Sequence, residues 1–169
     1  ETPLGVVPVD RELADAITDP DQGIGYEPRA HASEHSLEVQ VPFLQRTLGD
    51  FRIVPIVMGD QAEPVVRRLA ARVADAVRES GKRVLLVAST DLSHLDDHAE
   101  VVRVDRRLVN LVDAFDVDGI TAAFRRGRVQ ACGAVGLVAA LRAAEMGGAQ
   151  GAAVLACAAS GDVTGDKRP

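Results

Sequence analysis

The chain has 169 residues, 47% of them hydrophobic, with a formal net charge of −6 and a pI near 5.2. That length can bury one core, and an acidic balance without a basic block argues against a phosphate-backbone partner. No apolar run of about 18 residues marks a membrane span, and two cysteines are too few for a disulfide framework. One cytoplasmic domain over residues 1–169, with neither nucleic acid nor membrane as partner, is the expectation. Aromatic residues make up only 3% of the chain, which leaves little for stacking on bases.

In chain order, Asp10 to Ile17 reads as a short helix capped by Asp10, and the Gly-, Pro- and Asp-rich stretch 18–30 as a long loop. A helix is expected around 36–48, with Ser33 as cap and Leu37, Val41, Leu44 and Leu48 on its buried face. Pro42 argues for an interruption within it. His35 then falls in the first turn, where the helix dipole favours the neutral imidazole that a metal requires.

Residues 51–58 read as a strand weakened by Pro55. Residues 63–78 have helical spacing and stop at Ser80-Gly81. The apolar run 84–88 has the character of a strand covered on both faces. Helices are expected over 99–114, from Asp116 or Asp118 to Gly127, and over 133–146. A last buried strand is expected over 152–158 and places Cys157 inside it as a small hydrophobe. Strands alternating with helices predict an α/β layered fold with a mainly parallel central sheet flanked by helices.

Ligands of such folds collect beyond the carboxyl ends of strands. Ser89-Thr90-Asp91-Leu92-Ser93-His94 follows the 84–88 run, and the three-residue spacing could bring Asp91 and His94 to one pocket. The alternative there is a capping Asp beside an incidental His. Cys132 opens the 133–146 helix, a position that suits a nucleophile, a soft metal ligand or simple packing. Ser160-Gly161-Asp162-Val163-Thr164-Gly165-Asp166 could line the same pocket or serve as a turn.

Taken together, several segments resemble the Memo family, known in prokaryotes as AmmeMemoRadiSam system protein B. They are Thr2-Pro3-Leu4-Gly5 with Val9-Asp10, His31, the block from Glu34-His35-Ser36 to Pro42-Phe43-Leu44, Ser89 to His94, Cys132-Gly133 and Ser160 to Asp166. The resemblance implies a fold like the class III extradiol dioxygenase catalytic subunit and a pocket holding iron or copper. It makes His35 and Cys132 metal ligands, and it gives Asp91 and His94 the orienting of a ligand or the movement of protons. His31, Glu34, Ser160 and Asp162 would stand behind them. A further ligand histidine belongs to an upstream segment, so the ligand set here is expected to be incomplete. The chain is expected to lack its N-terminal segment and its last C-terminal strand. The function implied is a non-haem metal-dependent oxidoreductase on an unknown substrate. The alternative is a non-catalytic protein- or peptide-binding module that works with radical-SAM and AMMECR-type partners.

Overall fold

The computed structural model of the chain describes residues 2–165. They fall into two compact units that divide between Leu85 and Leu86, inside the run expected to be a single buried strand.

In the first unit, α1 (Arg11–Ile17) starts where expected: Asp10 Oδ1 accepts from Leu13 N at 3.1 Å. A short 3-10 turn (Pro20–Gln22), α2 (Pro28–His31) and α3 (Val41–Leu48) follow. The long helix α4 (Glu63–Ser80) ends at Gly81, whose φ of 63° is a left-handed conformation that glycine adopts without steric cost. Val66, Leu69, Ala70, Val73 and Ala74 recur at three- and four-residue intervals and form the buried face of α4, and α1 packs on that helix through Leu13 and Ile17. Each Val or Leu so buried contributes about 1.5–3 kcal/mol. Two cations fasten α1 at its ends. Lys82 Nζ lies 3.0 Å from Asp10 Oδ2 and 2.9 Å from Glu12 Oε2. Arg72 donates to the carbonyls of Ala16 at 2.6 Å and Thr18 at 3.2 Å.

The second unit is built on α5 (His98–Asp113), α6 (Val117–Arg125) and α7 (Ala134–Met146), with α6 packed against both neighbours. Asp97 and Asp116 cap α5 and α6 by accepting from Glu100 N at 2.7 Å and Gly119 N at 2.8 Å. Leu108, Val117 and Ile120 are fully buried between these helices. Arg142 of α7 is buried beside them. Burial works against its charge, but the carboxylates of Asp118 and Glu145 outweigh that cost and hold the guanidinium above its usual value. The short α8 (Ser160–Thr164) lies near the end of the described residues; Asp166 of the last motif lies outside them.

The expected α/β layered fold with a parallel central sheet is not what the chain forms. The structure is 51% helical and has no sheet, only isolated bridges among the described residues. For residues 51–58 the cause is local. Ile53 N donates to Pro8 O at 3.0 Å and Asp10 N donates to Ile53 O at 2.9 Å, a single parallel bridge between Val9 and Ile53. The next rung of a parallel ladder needs an N–H from position 55, and Pro55 has none. On the other side Asp10 has already turned into α1. The runs 84–88 and 152–158 form no regular element and no bridge, with Leu85, Val87 and Leu155 at 66%, 53% and 97% exposure. An apolar run records a preference for burial, but not the existence of a registered neighbour. Cys157 is accordingly exposed rather than buried in a strand.

Candidate functional site

The densest cluster of sequence-selected residues joins the segment after Ser89 to the entry of α7. Cys132 N donates to Asp91 O at 3.1 Å, and Asp91 N donates to Cys132 Sγ at 3.1 Å. Thr90 Oγ1 donates to Asp91 O at 2.9 Å, accepts from Gly133 N at 2.9 Å, and stands 3.9 Å from the cysteine sulfur. Gly133 is required by this approach rather than by its backbone angle: a Cβ there would lie 2.2 Å from Ser89 O and 2.8 Å from Thr90 Cβ. The result is an exposed cysteine whose sulfur accepts from one main-chain donor, Asp91 N, on a tightly hydrogen-bonded corner. Such a corner can present a soft donor or a nucleophile to an incoming atom.

Asp91 and His94 do approach one another, though no helix forms between them. His94 Nε2 stands 3.9 Å from Asp91 Oδ2, beyond hydrogen-bond distance, and their side chains are 67% and 83% exposed. The segment is anchored instead by buried Asp105 of α5, whose Oδ1 accepts from Ser93 N at 3.0 Å. Ser93 Oγ is sealed from solvent without a hydrogen-bond partner. Ser160 opens α8, and Asp162 Oδ2 accepts from Ala159 N at 3.1 Å. The other oxygen of Asp162 lies 3.4 Å from His98 Nε2. His98 was not among the sequence candidates. Its signal was the Asp96-Asp97-His98 start of α5, which reads first as a cap.

The first unit holds His31, Glu34 and His35. Helix α3 begins at Val41, so Pro42 sits in its first turn, where a missing N–H is tolerated, instead of interrupting a longer helix. His35 therefore lies in the turns before the helix, and Ser33 caps nothing. His35 Nδ1 is 2.9 Å from Glu38 Oε1. This carboxylate, three residues on, was also missed, although its spacing was visible. With the proton on Nδ1, Glu38 orients the ring and leaves Nε2 as a free lone pair, the arrangement common behind metal-bound imidazoles. Glu34 accepts from Ser36 N at 2.6 Å, and this backbone hydrogen bond holds its carboxyl below the usual range. His31 closes α2 and is half-buried. Among the described residues no three His, Cys, Asp or Glu side chains group as a metal site.

These features define a chain that presents a backbone-held cysteine beside an Asp–Leu–Ser–His segment, and comparison with known proteins gives it a family. The sequence model of the family described as "Memo-like protein" matches residues 1–168. A MEMO1 family protein of Methanothermobacter thermautotrophicus is 38% identical over 167 residues, covering 99% of this chain and 60% of that relative. One from Methanococcoides burtonii is 41% identical, covering 98% and 62%, and one from Pyrobaculum aerophilum is 36% identical, covering 99% and 59%. The chain belongs to the Memo-like family. It spans about three-fifths of the length of the curated relatives it matches. No solved structure matches it significantly.

Proposed function

We propose that the Memo-like protein to which these residues belong binds a redox-active metal, iron or copper, with Cys132 as its soft donor and His35 as an imidazole donor. The observation that carries this reading is the setting of Cys132: an exposed sulfur held by Asp91 N at 3.1 Å on a corner where only glycine fits next in the chain. A thiolate with imidazole suits iron or copper better than magnesium or calcium. His35 enters through the family resemblance, and its Glu38 partner is the kind of support a ligating imidazole has. When bound, such a metal would supply electron transfer or oxygen activation. The described residues do not complete a ligand set, so no reaction step is assigned to it. Asp91 and His94, 3.9 Å apart and open to solvent, are the proposed proton-handling pair. His31, Glu34, Ser160 and Asp162 are proposed to support the ligands.

The test is metal analysis of the anaerobically purified full-length protein against His35→Ala and Cys132→Ala. Loss of stoichiometric iron or copper in both is expected; retention in both overturns the ligand assignment. Oxygen uptake with catecholic substrates then tests the oxidoreductase reading.

A second reading is favoured by the exposure of Asp91 and His94, 83% and 67%, which encloses no reacting group. In it the chain is a binding module that works with radical-SAM and AMMECR-type proteins. Co-purification of such partners with the Cys132→Ala protein, with no oxygen uptake by wild type, would favour the module.

A further inference from the structure

We propose that the outer face of α5 is a docking surface for a short acidic, amphipathic helix of a partner protein, read by Arg103, Arg106 and Arg107. The surface is a shallow, open face of α5, lined by side chains of that helix alone. Ala99, Val102 and Leu111 make its apolar floor, and the three arginines with Asn110 stand around it. Positions 99, 102, 103, 106, 107 and 110 repeat at three- and four-residue intervals, so they share one face of the helix. From Ala99 to Leu111 that face runs about 18 Å, the length of three turns of a docked helix.

The arginines are only partly engaged within the unit. Arg103 holds Glu100 at 3.2 Å, and Arg107 donates to Arg128 O at 3.3 Å. Arg106 has no hydrogen bond or ion pair among the described residues. Each guanidinium carries five N–H donors in a planar fork, so most of this donor capacity faces solvent. Forks around an apolar floor match carboxylates that flank an apolar stripe, which is the pattern of an acidic amphipathic helix.

Other anionic occupants fit less well. A nucleic acid would find few aromatics here on which to stack its bases. A bilayer needs apolar residues that protrude, whereas Val102 and Leu111 are half-buried and it is the arginines that are exposed. This surface is independent of Cys132 and of the metal reading.

The experiment uses the full chain and a fluorescein-labelled helical peptide of about 15 residues with a Leu/Ala stripe flanked by Glu, next to a twin in which every Glu is Gln. Fluorescence anisotropy should show saturable binding of the Glu peptide. Affinity should fall about tenfold or more both in the R103Q/R106Q/R107Q variant and with the Gln twin. Amide shifts should concentrate on residues 99–111. The melting temperature of the variant should match wild type, because these side chains are exposed. The proposal is overturned by absent or unsaturable binding, by equal binding of the twin or to the variant, or by a lowered melting temperature that makes the arginines structural. Tighter arginine-dependent binding of poly(U) RNA or of phosphatidylserine vesicles would also overturn it.

Discussion

Asp91 and Cys132 hold each other reciprocally: the amide of each donates to the other, Asp91 N to Sγ and Cys132 N to Asp91 O, both at 3.1 Å. The two residues are 41 positions apart, so this pair closes the loop that contains α5 and α6. Its geometry depends on a neighbour with no side chain, which gives a direct test.

Gly133→Ala places a methyl group against Ser89 O and Thr90 Cβ. Overpacking against backbone costs about 1–3 kcal/mol. Gly136→Ala, inside α7 with nothing within 4 Å of its Cβ, should instead stabilise by about 0.5–1 kcal/mol. Thermal denaturation of the two variants should therefore move in opposite directions, and a neutral Gly133→Ala would remove the close approach from the account.

Asp105→Ala leaves Ser93 N without its acceptor in a buried setting. The cost should be about 1–3 kcal/mol. Hydrogen exchange at the Ser93 amide should accelerate while the amides of α4, in the other unit, keep their protection.

Ile120→Ala opens a cavity at a position with no exposed surface. Destabilisation of about 2–5 kcal/mol is expected in denaturant unfolding. A loss below 1 kcal/mol would mean that α5 and α7 collapse onto α6 without it.

The hydrogen bond from Lys82, followed by that from Leu13 N, holds the Asp10 carboxyl below its usual range. A carboxylate depressed in the folded state adds stability at neutral pH and loses it as pH falls through the folded-state value. Lys82 is raised by its hydrogen bonds to Glu12 and Asp10, so its contribution is complete at neutral pH and fades as pH rises through that raised value. In Lys82→Met, NMR titration should find Asp10 protonating at higher pH than in wild type. An unchanged titration would show that the α1 cap acts without the lysine.

The helices were legible because their ends are written in single residues. Asp10, Asp116 and Gly81 each mark a boundary that the structure keeps. The strands were not. Residues 84–88 and 152–158 have the composition of buried strands, but a strand also needs a neighbour in register, which no local pattern encodes. Pro55 shows the other failure: it was visible as a weak point, yet that it ends the ladder after one rung follows only from the pairing of Ile53 with Val9. At the site, residue types were readable and partnerships were not. Asp91 and His94 were expected to share one pocket and lie 3.9 Å apart, but the pair of hydrogen bonds between Asp91 and Cys132 was not foreseen. Glu38 and His98 went unnoticed because an acid after a histidine, or a histidine after a cap, is ordinary in a solvated sequence.

The clamp on α1 also bears on covalent continuity. Arg72 from within α4 and Lys82 just beyond it grip opposite ends of α1, whose Leu13 and Ile17 sit on the same helix. The chain between Thr18 and Ala62 is thus an excursion between two pieces already docked to each other. A protease cut within that excursion should leave both pieces travelling together under native conditions and parting only in denaturant. The first unit would then survive as a nicked heterodimer of its own fragments.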